Sequence, residues 1–221
     1  MLKICTLFRR KVGASVEEYQ SYWRTGHVSH IKALPEVRRY IQNHPFSLND
    51  KWPPYDGLVE LWVDDTEALK KMGKSEGFAR VIEDEKIFVD RSTIDLVLTD
   101  EHVIIEGDRP EKAVKQIVMI KRKPGMSPAE FQDYWLNRHA PLVGHPAGLL
   151  RYVQSHARLN GYRDGREPIF DGIATMTYAS VDDMKAARKA PGQDKVAEDA
   201  ANFLDPSKTV AFLAHEYVWI P

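Results

Sequence analysis

The sequence predicts an α+β fold: two ferredoxin-like βαββαβ domains whose four-stranded antiparallel sheets pack face to face. Two observations carry this prediction. Thirteen residues recur 112 positions later, as Tyr22-Trp23 does in Tyr134-Trp135, and this period is too long for a solenoid array. Each copy also has the order strand, helix, strand, strand, helix, strand. Because the helices then cover one face of each sheet, the other face needs a cover, and the second sheet can provide it.

The elements follow in the same order in both copies. The predicted strands cover residues 2–9, 37–44, 58–63 and 93–105, and then 115–121, 149–156, 173–178 and 208–220. Ser15 and Ser127 begin the first helices as N-caps, and Glu18 and Glu130, three residues later, complete capping boxes. The second helices cover residues 65–86 and 180–202, the latter broken at Pro191-Gly192.

These elements divide the chain into a first domain, residues 1–105, and a second domain, residues 114–221. The segment between them, 106–113 (EGDRPEKA), is charged and carries Gly and Pro, so it predicts a linker. Each domain has about 110 residues, which is enough to build a core of its own.

The overall composition is typical of a soluble globular protein, with 43% hydrophobic and 29% charged residues. A net charge of −1 provides no positive electrostatic field that would attract nucleic acid or an anionic membrane. The single cysteine, Cys5, excludes an internal disulfide and fits a reducing compartment. No apolar run is long enough to span a bilayer, and the first residues reach Arg9-Arg10-Lys11 without the apolar stretch of a signal peptide. We therefore expect a cytoplasmic protein.

Both copies place a Tyr-x-Gln-x-His series on one side of a strand. Its members are Tyr40, Gln42 and His44 in the first copy and Tyr152, Gln154 and His156 in the second. If Val59 and Leu61 of the next strand face the helices, then Glu60, with Trp62 beside it, joins this polar series inside the barrel. A buried site with His, Tyr, Gln and Glu suits proton transfer, because neighbours tune each pKa.

Structural explanations compete with this functional one. Trp23 and Trp135 lie on the apolar stripe of the first helix and are expected in the core. His27 and His139 end that stripe, where a histidine is often a cap or a hydrogen-bonded core residue. The Tyr-Gln-His series could equally be a solvated strand face, and Glu60 occurs in one copy alone.

Metal and cofactor motifs are weak. His27 and His30 stand at i, i+3, a spacing that can hold a metal, but the second copy has Leu142 in place of His30. There is no Gly-rich phosphate loop and no Ser-His-Asp or Cys-His nucleophile signature, and Cys5 lies within an apolar strand. The sequence therefore predicts no metal and no organic cofactor.

Two segments carry a family resemblance. The resemblance is to the EthD-like family of dimeric α+β barrel proteins, and it lies in the segments EYQSYWRTGHVSHI and EFQDYWLNRHAPLV. Thirteen residues after the first histidine of each segment, His27 or His139, each copy has a strand tyrosine, Tyr40 or Tyr152. The resemblance implies two tandem EthD-like domains that form an intramolecular dimeric α+β barrel, a single-chain version of the family's homodimer. It also implies cofactor-free acid–base chemistry by His27 with Tyr40 and His139 with Tyr152, as in isomerases, polyketide cyclases, dehydratases and lyases.

The leading hypothesis is a cofactor-independent enzyme that acts on a small cyclic or aromatic-derived carbonyl compound. The histidines would be general bases, the tyrosines would stabilise the enolate oxygen, and Gln42, His44, Glu60, Trp62, Gln154 and His156 would bind substrate. Two alternatives stay open: a non-catalytic protein that sequesters a small molecule, and a haem-binding barrel. Partners would be the substrate and, if the pseudo-dimer pairs further, a second copy of the chain. His30 and Glu60 favour the first pocket as the active one.

Overall fold

The structure is a computed structural model that describes residues 1–49, 51–111 and 113–221. Its strands are β1 (Leu2–Arg10), β2 (Val37–Phe46), β3 (Gly57–Val63), β4 (Val89–Ile105), β5 (Val114–Ile120), β6 (Leu149–Ala157), β7 (Gly172–Tyr178) and β8 (Val210–Ile220). Its α-helices are α1 (Val16–Tyr22), α2 (Val28–Lys32), α3 (Thr66–Gly73), α4 (Glu76–Phe88), α5 (Pro128–Tyr134), α6 (Ala140–Val143), α7 (Val181–Ala187) and α8 (Gln193–Ala200).

The strands pair as an antiparallel sheet whose order repeats in the two copies. In the first copy β3 lies between β1 and β2, and in the second β7 lies between β5 and β6. The complete hydrogen-bonded order, β1-β3-β2-β8-β5-β7-β6-β4, closes on itself. This confirms the predicted α+β barrel of two ferredoxin-like repeats.

The chain forms two compact units. The first comprises Met1–Leu98 together with Glu216–Pro221, and the second comprises Thr99–His215. Two strands therefore contribute to both units, since β4 begins in the first and ends in the second, and β8 does the reverse. Within the predicted linker 106–113, Lys112 lies outside the described residues.

The first helix of each unit begins where its capping box predicts. Ser15 accepts a hydrogen bond from the N–H of Glu18, whose carboxylate accepts in return from Ser15, and Ser127 with Glu130 repeats the arrangement. The predicted helix 65–86 is two helices, because α3 ends at Gly73 and Ser75 caps the start of α4. Among the described residues, no helix is both long and apolar enough to cross a membrane.

Aromatic side chains fill the layer between helices and sheet. Trp23 and Trp135 are 0% and 1% exposed, as expected for core residues, and Cys5 is also buried. Trp23 packs against Phe8 in the first unit, with ring centroids 5.1 Å apart. Trp135 packs against Phe131 in the second, at 5.5 Å. These contacts fix the end of the first helix over the sheet, where the candidate site lies.

Candidate active site

In each unit a π-helical turn follows the first helix, and a histidine is its last residue. The turn covers Trp23–His27 in the first unit and Trp135–His139 in the second. In the second unit the N–H of Ala140 bonds to the carbonyl of Trp135, five residues back. Such a turn holds one residue more than an α-helix needs, and it recurs at functional sites. The extra residue sets the direction of the buried histidine relative to the preceding helix.

Asp84 holds the first-unit histidine by one ring nitrogen. Nδ1 of His27 lies 2.7 Å from Oδ2 of Asp84, and the hydroxyl of Tyr22 donates to Oδ1 over 2.6 Å. Burial lowers the pKa of His27, although the hydrogen bond to Asp84 opposes this effect. The ring is therefore neutral near pH 7. Since the carboxylate accepts at Nδ1–H, Nε2 is left as the basic nitrogen.

The second unit repeats this network with Asp199. Nδ1 of His139 lies 2.8 Å from Oδ2 of Asp199, and the hydroxyl of Tyr134 donates to Oδ1 over 2.7 Å. Burial acts to raise the pKa of Asp199, but the hydrogen bonds from Tyr134, His139 and Asn202 outweigh this effect and leave the pKa lowered. Burial also lowers the pKa of His139. The pair is thus an ionised carboxylate beside a neutral imidazole.

The two candidate metal ligands of the first unit meet the same carboxylate. Nε2 of His30 lies 3.4 Å from Oδ1 of Asp84, the residue that also holds His27. Across residues 1–49, 51–111 and 113–221, no group of three or more His, Cys, Asp or Glu side chains is arranged to hold a metal ion.

In the first unit the Tyr-Gln-His series is a hydrogen-bonded chain that anchors the π turn. Nε2 of Gln42 donates to the carbonyl of Trp23 over 2.9 Å and to the hydroxyl of Tyr40 over 3.0 Å. Nε2 of His44 lies 3.0 Å from the amide oxygen of Gln42, and its ring stacks on Trp23 at 4.2 Å. Gln42 and His44 therefore hold the helix end and the tyrosine in place.

The second unit contains the same chain. Gln154 donates to the carbonyl of Trp135 over 3.1 Å and to the hydroxyl of Tyr152 over 2.8 Å. His156 lies 2.9 Å from the amide oxygen of Gln154 and stacks on Trp135 at 4.5 Å. Burial, with a smaller contribution from His102, lowers the pKa of His156 to about 3. His156 is therefore neutral at physiological pH.

The series faces the helices, together with the apolar side chains of β3. Tyr40 pairs with Leu61, and Gln42 pairs with Val59. Residues paired across two strands share a face, so Glu60 points to the opposite one. The expectation that the series lies inside the barrel together with Glu60 is therefore wrong, because the series faces the helices and Glu60 does not. Alternation within one strand defines two faces, but the register between strands decides which faces coincide.

Glu60 and Trp62 belong to a buried charged cluster on that opposite face. Nζ of Lys3 lies 2.7 Å from Oε1 of Glu60, and Asn43 donates to its other oxygen over 2.9 Å. The cations of Lys3 and Arg39 lie over the ring of Trp62, at 4.8 and 4.6 Å from its centroid. This pairing compensates the buried charges.

A cavity lies between sheet and helices in each unit, with a volume of about 490 Å³ in the second and about 190 Å³ in the first. His139 and Tyr152 line the larger cavity, and His27 and Tyr40 line the smaller one. The other predicted site residues, Gln42, His44, Glu60, Trp62, Gln154 and His156, are not among the lining residues. Most of the lining is apolar, so the histidine and tyrosine are prominent polar groups in it.

Each cavity tyrosine keeps its proton. Burial raises the pKa of Tyr152 to about 12, although the hydrogen bond from Gln154 opposes this, and burial likewise raises the pKa of Tyr40. The Tyr152 hydroxyl accepts from Gln154 and donates to no acceptor among the described residues. Its O–H is thus available to a ligand. A basic imidazole nitrogen and a phenol donor in one apolar cavity can remove a proton and stabilise the resulting oxyanion.

The carboxylates that hold the histidines were not predicted. Asp84 and Asp199 lie 115 positions apart, the offset that the two copies share after the longer loop of the second. Tyr22 and Tyr134 already belong to the 112-residue repeat, without an assigned role. A comparison of the second helices at the 115-residue offset would have revealed the two aspartates. Only the fold shows that they meet the histidines.

The fold and this site together define a duplicated α+β barrel with a candidate acid–base centre in each repeat. The chain belongs to the EthD domain family, which matches residues 11–92 and 123–207. The two matches cover both repeats, so the resemblance of the two helical segments is confirmed at the level of family.

Similar proteins span a range of descriptions. A 119-residue segment is 25% identical to the conidial pigment biosynthesis dehydratase EthD of Metarhizium robertsii and covers 48% of this chain and 84% of that protein. The solved structure of an anthrone oxidase-like protein aligns with 98% of this chain and with 92% of the anthrone oxidase-like chain. The TM-score is 0.69 at 14% sequence identity. The solved structure of a candidate monooxygenase of Fusobacterium nucleatum aligns with 98% of this chain and with 93% of the monooxygenase chain. The TM-score is 0.67 at 11% sequence identity. The two structural likenesses show the barrel fold.

Proposed function

We propose that this protein is a cofactor-independent enzyme that moves protons on a small cyclic or aromatic-derived carbonyl compound. One observation carries the proposal: a carboxylate binds Nδ1 of a cavity-lining histidine in both units and leaves Nε2 as a base. Because His139 is neutral near pH 7, it can accept a proton without first losing one. The fold alone would not support a reaction, since barrels of this type serve many functions.

Dehydration is the reaction class that we favour. Nε2 of His139 removes a proton from the carbon beside the carbonyl group, and the Tyr152 hydroxyl donates a hydrogen bond to the enolate oxygen. The enolate then expels a β-hydroxyl group. The imidazolium returns its proton to that group, so one water molecule leaves and the C=C bond forms. The fungal relative named as a dehydratase supports this choice over isomerisation, cyclisation or bond cleavage.

A first prediction tests the chemistry directly. The substrate probe is 3-hydroxy-1-tetralone, which loses water and tautomerises to fluorescent 1-naphthol. We expect turnover by the purified protein and a decrease of about 10²- to 10⁴-fold in the His27→Ala/His139→Ala variant, because general-base catalysis contributes that much. The control is His145→Ala, an exposed histidine that does not line the cavity.

Lactone and cyanohydrin probes extend the same assay to the other reaction classes. A double variant that folds and turns over any accepted probe at the wild-type rate would refute the assignment of the histidines. A wild-type protein that binds these probes without converting them would instead identify a sequestering protein.

A further inference from the structure

Four positions that line the smaller cavity carry larger side chains than their counterparts in the larger cavity. Phe8, Val59, Met72 and Phe78 of the first unit correspond to Ile120, Ala174, Ala187 and Gln193 of the second. Smaller side chains in a fixed frame leave space that the backbone does not fill. Pockets for drug-sized ligands measure about 300–1,000 Å³, so the 490 Å³ cavity falls within this range and the 190 Å³ cavity lies below it.

Gln116 is a polar side chain within the larger cavity. It lies on β5, lines the cavity and is 7% exposed, and its amide hydrogen-bonds to none of the residues that the structure describes. Ile4 stands at this position in the first unit. The amide of Gln116 can therefore hydrogen-bond to an oxygen of a ligand in the cavity.

Arg188 adds a positive charge to the same cavity. It follows the last residue of α7, is exposed and lines the cavity, and it forms no ion pair with a described residue. Gly73 stands at this position in the first unit. The rest of the lining includes the rings of Trp135, Tyr178 and Phe203. Flat aromatic surface and one cation therefore belong to a single cavity.

We propose that the second-unit cavity binds an acidic, flat aromatic or aromatic-derived ligand and that the first-unit cavity does not. The aromatic body lies among the rings, an oxygen substituent meets Gln116, and the anionic group meets Arg188. This inference deepens the proposed function by naming the substrate class and the unit. Its test measures binding and not turnover, so either proposal can fail alone.

The test is a fluorescence titration with two probes of similar aromatic body. One is 1-anilinonaphthalene-8-sulfonate, which is anionic, and the other is neutral N-phenyl-1-naphthylamine. We expect one sulfonate site per chain. Arg188→Gln should weaken the sulfonate about tenfold, the effect of one charge-assisted hydrogen bond, and leave the neutral probe unchanged. Lys189→Gln, at the adjacent exposed position, is the matched control.

A second variant tests the location of the site. Ala187→Met introduces the first unit's residue into the cavity and should weaken both probes by about tenfold or more. Ala186→Met adds the same side chain at an exposed neighbouring position and should change neither. If Ala187→Met fails to fold, the Arg188→Gln comparison, made at an exposed residue, still decides. No sulfonate binding, two equal sites, unchanged binding in folded Ala187→Met, or equal weakening of both probes by Arg188→Gln would overturn the proposal.

Discussion

Each cavity histidine shares its carboxylate with a tyrosine, and this sharing sets the protonation state of the site. In the second unit Oδ2 of Asp199 accepts a hydrogen bond from Nδ1–H of His139, and Oδ1 accepts one from the hydroxyl of Tyr134. Three donors, Tyr134, His139 and Asn202, favour the ionised carboxylate, and the ionised carboxylate favours the tautomer of His139 with its proton on Nδ1. Asp199 touches no cavity ligand in this scheme. It is a positioning residue that acts through His139.

Asp199→Asn tests this positioning role. Loss of the negative charge removes a contribution that raises the pKa of His139, so that pKa should fall further. We expect kcat/KM to decrease by about 10²-fold and its acid limb to move to lower pH. The measurement is the pH–rate profile with the tetralone probe. Asp194→Asn, exposed on the same helix, should leave the profile in place, and an unmoved limb in Asp199→Asn would mean a merely structural role.

His156 makes stability depend on pH. Its pKa is about 3 in the folded protein and about 6.5 in the unfolded chain, so between these values the unfolded state binds one proton more. The free energy of unfolding should therefore decrease as the pH is lowered from about 6.5 towards 3. This residue contributes about 1.4 kcal/mol per pH unit to the decrease. Urea unfolding from pH 7 to 4 should show that His156→Gln removes this part of the slope. An equal slope in both proteins would contradict the assignment, and exposed His145→Gln is the control.

At the scale of secondary structure, the π turn decides whether the histidine reaches its carboxylate. Asn137 is exposed within the second π turn, and its amide donates a hydrogen bond to the carboxylate of exposed Asp133. Deletion of Asn137 should convert the turn to regular α-helix and rotate His139 by about 100°. We expect a folded protein with at least about 10²-fold less activity. Circular dichroism measures folding, and the tetralone assay measures activity. Asn137→Ala is the control. Full activity in the deletion variant would contradict the role of the π turn.

The sequence predicted the elements better than their mutual placement. Capping boxes and apolar periodicity are local signals, so the first helices and the order of strands were predictable. A π turn leaves no such signal, because one inserted residue changes hydrogen bonding and not composition. Strand register is also non-local, and the side of the sheet on which Glu60 lies depended on it.

The candidate site was partly predictable for the same reason. His27, Tyr40, His139 and Tyr152 follow from the family resemblance and line the cavities. Their catalytic roles stay a prediction. Gln42 and His44, expected at the substrate, bond instead to the helix end and to each other. A polar side chain on a strand gives the same sequence signal whether its partner is a ligand or a backbone carbonyl.

At the scale of the whole molecule, duplication produced two sites with the same polar network and different space. The sequence favoured the first site because of His30 and Glu60, but His30 contacts Asp84 and Glu60 faces away from the helices. The volumes favour the second site. Sequence comparison could have detected the exchange of Met72 for Ala187, but it could not show that space remained.

Single variants should therefore be unequal. We expect His139→Ala to lose about 10²- to 10⁴-fold of the tetralone activity and His27→Ala to keep nearly all of it. The two substitutions are the same in chemistry and equivalent in position, so each controls for the other. Thermal unfolding should confirm that both proteins are folded. Equal losses would show that both cavities work, and loss in His27→Ala alone would reverse the assignment.

The strands that pass through both units have a consequence for synthesis on the ribosome. The first unit includes Glu216–Pro221, which are translated after all of the second unit. The second unit is the continuous stretch Thr99–His215. Proteolysis of stalled nascent chains should find the second unit protected once residue 215 has left the exit tunnel, and the first unit protected only after residue 221. We therefore expect the half of the protein that is made first to be the half that folds last.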